Sequence, residues 1–213
     1  MPIILTGFEP FGKERYNPSG EVAKALNGKR ICGETIVGVV LPVAYRRTIS
    51  LVEKMMEELK PSVFLGTGLA PSSPVIRIER MAVNLMDFRK PDNDGDKPVD
   101  VPIYEDGPLA YMATMPTRDI LIRLREAGIP ASLSYSAGTY LCNLVFYAAL
   151  HNTVRLGLNT KVGFVHLPYE LRQAAEKDVA PSLPFDVMLK AVEISLRVTL
   201  EELDRSLVAT KRT

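Results

Sequence analysis

Short apolar runs alternate with longer segments of helical spacing along nearly the whole chain, and this alternation limits the fold more than any other feature. PIILTG near the N-terminus reads as a buried strand feeding the loop FEPFGKERYNPSG. Asn17-Pro18-Ser19 then supplies the cap and first turn of a helix running through Leu26. ETIVGVVLPV is strand-like, RRTISLVEKMMEELK sets Ile49, Val52, Met56 and Leu59 at helical spacing, and SVFLGTG is a short apolar strand. In PVIRIERMAVNL, Val75, Arg77 and Glu79 fall on one side of a strand and Ile76 and Ile78 on the other. A helix over about 116–127, a strand ASLSYS, a helix bearing Cys142, a strand KVGFVHLP and an amphipathic helix from about Phe185 to Leu207 complete the pattern. The expected class is α/β, a sandwich of helices around a mostly parallel sheet. No linker, repeat or low-complexity tract interrupts residues 1–213, which therefore read as a single domain. Residues 87–110 are rich in Pro, Asp and Gly and form a long irregular segment, of the kind that tends to be functional or mobile.

Charge and targeting signals narrow the function classes. The formal net charge is +1, with basic residues spread along the chain, so nothing points to a nucleic acid or an anionic membrane as partner. The KRT tail reads as a frayed terminus and not as a binding arm. MPIILTGFEPFG has too short an apolar run for a secretory signal and lacks a basic flank, and no stretch approaches the roughly 18 apolar residues of a membrane span. A cytosolic protein with reduced thiols is expected.

Several candidate motifs fail on their own chemistry. Gly66-Thr67-Gly68 follows a strand, but Pro71, Ser72, Ser73 and Pro74 come next where a dinucleotide fold needs a helix. Asp92-Asn93-Asp94-Gly95-Asp96 suggests calcium, yet Lys97 stands where the loop needs glycine and Ile103 where it needs glutamate, so a solvated acidic loop is expected. Ser134 occupies the first glycine position of any GxSxG frame around Ser136. With two histidines in the chain, a zinc site has too few ligands.

Cys142 remains. Free cysteine is among the most buried residue types, so an inert core thiol is one reading. The other starts from Ser136-Ala137-Gly138-Thr139, a small-residue turn between strand and helix with Ser136 and Thr139 as candidate N-caps. A cysteine in the first turn of that helix gains from free backbone N–H groups and the helix dipole, which favour thiolate and can bind an oxyanion. His151, nine residues along the same helix, lies about 13 Å away and cannot reach the sulfur, so it reads as a surface residue near the helix end. His166 ends the strand VGFVH. Consecutive parallel strands of a βαβ unit share one carboxyl edge, which would bring His166 to the start of the Cys142 helix. Glu79, in an otherwise apolar strand, either orients that histidine or pairs with Arg77 or Arg80. Cys32, at the start of an apolar strand, is expected to be a buried, inert thiol.

TGFEPFG with NPS (Thr6–Gly12, Asn17–Ser19), GLAP followed by IERMAVN (Gly68–Pro71, Ile78–Asn84), RKPDNDG (Arg89–Gly95), SAGTYLCN (Ser136–Asn143) and FVHLPY (Phe164–Tyr169) together resemble the type I pyroglutamyl peptidases, or pyrrolidone carboxyl peptidases. The resemblance covers nearly the whole chain. It implies a single-domain, three-layer α/β/α sandwich around a twisted, mostly parallel open sheet, assembled as a homotetramer. It also implies a cysteine peptidase that removes N-terminal pyroglutamate from peptides through a thiol acyl-enzyme, without metal or organic cofactor. The implied triad is Cys142 as nucleophile, His166 as base and Glu79 as the group orienting the histidine. The implied lactam slot uses Phe8, Phe11, Asn17 and the backbone at Gly68 and Leu69, with Tyr140 and Leu141 as its wall and Arg89 near the oxyanion. The chain departs from the family pattern at Ser72-Ser73, where Gly-Arg is frequent, and at Lys90, where an apolar residue is usual.

Overall fold

In the computed structural model, which describes residues 1–210 and side chains through Arg205, two strands of the main sheet are buried at every position: β1 (Ile3–Phe8) and the strand at Val63–Leu69. Strands with no exposed position require cover on both faces of the sheet. The chain continues from β1 through α1 (Pro18–Leu26), β2 (Arg30–Ile31), β3 (Glu34–Leu41), α2 (Tyr45–Leu59), β4 (Val63–Leu69), β5 (Ile76–Glu79), β6 (Met81–Val83) and β7 (Ala110–Met112). It then forms α3 (Thr117–Glu126), β8 (Ala131–Ser134), α4 (Leu141–Arg155), β9 (Lys161–Leu167), β10 (Tyr169–Glu170), α5 (Leu171–Ala174), β11 (Ser182–Leu183) and α6 (Phe185–Thr210). The Lys211–Thr213 tail lies outside the described residues.

The main sheet has seven strands in the order β2-β3-β1-β4-β9-β5-β8. Strands β3, β1, β4 and β9 run parallel. Strand β5 is antiparallel to β9 and parallel to β8, and β2 closes a hairpin on β3. Side chains alternate between two cores. Leu5, Leu65, Ile78 and Val165 pack in one with residues of α1, α3 and α6; Ile4, Phe64 and Phe164 pack in the other with residues of α2 and α4. The result is the expected three-layer sandwich. Close approach of α1 needs a residue without a side chain at Gly7, where a Cβ would lie 2.0 Å from the Ser19 carbonyl oxygen. Asn17 caps α1 as its sequence predicts, its Oδ1 accepting from the Ser19 N–H and hydroxyl.

Several expectations are corrected. Strands β8 and β9 run in opposite directions with β5 between them, so the Cys142 helix does not sit in a parallel βαβ unit. The candidate caps Ser136 and Thr139 do not cap α4; Tyr140 takes the N-cap position and no side chain bonds the first turn. Cys32 is exposed. It has φ +48 and Gly33 φ +83, forming the two-residue turn of the β2–β3 hairpin and not the start of a buried strand. His151 is buried, because the 103–111 segment folds over α4: its ring stacks on Tyr104 at 4.2 Å and its Nδ1 lies 3.2 Å from the Tyr111 hydroxyl.

The long segment is folded on its own polar side chains. Asn84 Oδ1 accepts from the Ile103 and Tyr104 N–H groups, and its Nδ2 donates to the Tyr104 and Gly107 carbonyls. The acidic loop is not simply solvated. Asp92 is buried, with Oδ1 accepting from the N–H groups of Asp94 and Asp96 and Oδ2 accepting at 2.8 Å from the Tyr45 N–H, the first of α2. Helix α2 has no cap from its own N-terminal side chains, so Asp92 supplies one from 47 residues away. Removing it as Asp92→Ala should cost about 1–2 kcal/mol, the range for a lost cap, and lower Tm by about 2–8 °C for a chain of this size. Calorimetry on wild type, Asp92→Ala and Asp92→Asn checks this, with the asparagine recovering part of the loss.

Candidate active site

Strand alternation puts Gly66 and Gly68 of β4, Phe164 and His166 of β9, and Arg77 and Glu79 of β5 on the sheet face covered by α4. A Cβ on Gly66 would lie 2.4 Å from the Phe164 ring, and one on Gly68 would lie 2.6 Å from the Cys142 sulfur. The two glycines therefore leave the space that the ring and the thiol occupy. Helix α4, 15 residues long, spans about 22 Å, and β9, 7 residues long, spans about 23 Å. With only residues 156–160 between them, the strand returns along the helix and brings His166 level with Cys142. That match of lengths, and not a shared parallel edge with β8, makes the pair.

On the antiparallel side, Arg77 pairs with His166 and Glu79 with Phe164. Glu79 is thus the diagonal same-face neighbour of His166. Its Oε1 accepts from His166 Nδ1 at 2.8 Å and lies 3.4 Å from Arg77 Nη2. The same guanidinium nitrogen donates to Ser134 Oγ at 2.5 Å and to the Ser136 carbonyl at 3.1 Å. Glu79 thus contacts both candidate partners at once, hydrogen-bonding the imidazole and lying within ion-pair distance of Arg77. Glu79 is 0% exposed and His166 6%. Burial alone would push the His166 pKa down. Attraction to and hydrogen bonding with Cys142, and then with Glu79, outweigh burial and push it up to about 9. At neutral pH the imidazole is therefore charged. With Nδ1 committed to Glu79, Nε2 is the nitrogen left for the thiol.

A cavity of about 180 Å³ opens over the sulfur. Of the residues expected there, Phe8, Phe11, Asn17, Leu69, Tyr140, Leu141, Cys142 and His166 line it. Gly68 lies behind the sulfur, and Glu79 is sealed behind His166. Arg89 is not in this lining; it belongs to an adjoining cavity of about 460 Å³, together with Lys90. Val43 and Ala137 also line the small cavity and carried no signal beyond their place at the end of β3 and in the turn before α4. No carboxylate contributes to its wall. Asn17 is partly committed elsewhere, since Oδ1 caps α1 and Nδ2 donates to the Glu9 carbonyl at 3.1 Å. Tyr140 is held by an edge contact with Phe88 at 4.5 Å and by a hydrogen bond to the Pro91 carbonyl. Its burial, with the Asp92 and Cys142 charges, pushes the phenol up to about 12, so it is neutral. Ser73 is buried in a turn and bonds Val75. Among the described residues no three His, Cys, Asp or Glu side chains converge as a metal site.

A thiol at an uncapped helix start, facing an imidazolium held by a buried carboxylate, is an arrangement suited to nucleophilic acyl chemistry on an α/β/α scaffold. The family model for pyroglutamyl peptidase matches residues 1–202. The pyrrolidone-carboxylate peptidase of Thermococcus litoralis is 44% identical over 208 residues, covering 95% of this chain and 94% of that protein. That of Pyrococcus furiosus is 44% identical over 207 residues, covering 95% and 100%. A solved structure of pyrrolidone carboxyl peptidase from T. litoralis superposes with a TM-score of 0.94 at 43% identity, over 96% of each chain. A structure from P. furiosus gives 0.93 at 43% identity, over 95% and 100%. The chain belongs to the pyroglutamyl peptidase family.

The sign of the His166 shift can be tested by itself. Its folded pKa stands above the ordinary 6.5 because attraction to and hydrogen bonding with Cys142 and Glu79 favour the charged ring, so removing either should lower it. NMR titration of His166 should give a midpoint near 9 in wild type and lower midpoints in Cys142→Ala and in Glu79→Gln.

Proposed function

We propose that this chain is a thiol peptidase that removes N-terminal pyroglutamate from peptides and proteins. The observation that carries the reading is the placement of Cys142 and His166 on the floor of a small, largely apolar cavity with no carboxylate in its wall, in a chain of this family. Pyroglutamate is a neutral lactam without the charged amine that a carboxylate would capture. An apolar slot with few polar contacts suits it, and Phe8, Phe11, Asn17, Gly68, Leu69, Tyr140 and Leu141 are its proposed contacts.

The chemistry follows from the proton positions. The Cys142 thiolate attacks the pyroglutamyl carbonyl carbon, and the carbon–oxygen π pair moves onto oxygen. The N–H groups at the start of α4, which no side chain caps, would stabilise that oxyanion. Arg89 lines the neighbouring cavity, which shares Phe11 and Tyr140 with this one, and would add positive charge near that oxyanion. The His166 imidazolium then gives its Nε2 proton to the leaving amine as the C–N bond breaks, leaving a thioester on Cys142. Neutral His166 next takes a proton from water, whose oxygen attacks the thioester. Pyroglutamic acid departs and the thiolate–imidazolium pair is restored. Glu79 holds Nδ1–H throughout and stabilises the charged ring. No step calls for a metal or organic cofactor. The same family likeness supports a homotetramer working in the cytoplasm, and no helix among the described residues is long and apolar enough to cross a membrane.

Hydrolysis of a pyroglutamyl anilide tests the reading. Wild type should turn it over, Cys142→Ala should not, and prolyl and glutaminyl anilides should be poor substrates; preference for either would indicate another thiol amidohydrolase. Phe11→Ala should cut kcat/KM by about 10–100-fold through lost apolar contact. Glu79→Gln should lower kcat by about 100-fold or more, with little change in KM. A retained rate with lowered Tm would limit Glu79 to its pairing with Arg77.

A further inference from the structure

The larger cavity is a continuation of the small one. Both are lined by Phe11 and Tyr140, and Tyr140, pinned between Phe88 and the Pro91 carbonyl, forms the partition between them. At about 460 Å³ against about 180 Å³, it has room for more of a peptide than the lactam slot does. A substrate acylating Cys142 must send its leaving chain out of the small cavity, and this adjoining space shares a wall with it.

The charge of that space is unbalanced. Arg89 and Lys90 both line it, both are exposed, and neither has an ion pair or hydrogen bond among the described residues. The acidic loop beside them does not neutralise them. Asp94 pairs with Arg47, Asp96 with Arg46, and Asp92 is buried against backbone N–H groups. Asp87 is the one carboxylate in the cavity wall, against two cations.

We infer that this cavity receives the residues beyond the scissile bond and that Lys90, with Arg89, makes the enzyme favour leaving peptides that carry a carboxylate. This rests on the peptidase reading above and adds a substrate class to it. Lys90 acts here as a specificity residue: its ammonium meets the peptide anion, and its stem can lie along the apolar wall.

The experiment compares kcat/KM of the full-length protein on two peptide pairs, with a pyroglutamyl anilide as reference. The first pair, pyroglutamyl-Glu-Ala-amide and pyroglutamyl-Gln-Ala-amide, offers a side-chain carboxylate; the second, pyroglutamyl-Ala and its amide, offers a terminal one. The acidic member of at least one pair should lead by about two- to five-fold, the range for a solvent-accessible ion pair, and the lead should shrink in high salt. The pair that shows the lead identifies the source of the carboxylate. Lys90→Met should reduce the ratio and Lys90→Glu should invert it, mostly through KM. Anilide turnover with equal rates within both pairs would overturn this inference alone, as would a lead that survives Lys90→Glu. Absent anilide turnover would overturn the peptidase reading and this inference with it.

Discussion

A single buried carboxylate sets the terms for everything around it. Glu79 is fully enclosed, and an enclosed carboxylate is costly unless it is paired and hydrogen-bonded. Its Oε1 meets both His166 and Arg77, and Arg77 is in turn tied to Ser134 and Ser136. These contacts exist because β5 runs antiparallel to β9 while pairing in parallel with β8. The break in strand direction is thus where the sheet builds its site.

From that joint the arrangement extends outward by layers. Glu79 holds one nitrogen of His166 and leaves the other for Cys142. Gly68 clears space for the sulfur, and α4 brings it to the level of the histidine. Tyr140 continues the wall and divides the space above the sulfur into an inner cavity with no carboxylate in its wall and an outer one lined by two cations. Binding and chemistry then draw on one short stretch of chain, since the residues at the helix cap and first turn also line the pocket.

Much of the site was legible in the sequence because its residues stand at the ends of regular elements. Strand periodicity put Arg77 and Glu79 on one face, and the apolar run VGFVH put His166 at a strand end. The N-cap chemistry of Asn17 is local and reads directly. What escaped was non-local. Strand direction is invisible in an apolar run, so the antiparallel relation of β8 and β9 cannot be read from their residues. Asp92 resembled part of a solvated loop because its partner, the start of α2, lies 47 residues earlier. His151 resembled a surface residue because the segment that covers it has no periodic pattern. Cys32 was misplaced for a local reason, an unrecognised hairpin turn with positive φ at both central residues.

The central claim is that one thiol, Cys142, carries the pyroglutamyl group between cleavage and release. Rapid acid quench of the enzyme turning over a pyroglutamyl ester, followed by intact-mass and peptide mapping, tests it most directly. The account predicts one added pyroglutamyl acyl group, mapped to Cys142 and absent from Cys142→Ala. Acylation of Cys32, or turnover that persists in Cys142→Ala, would contradict it.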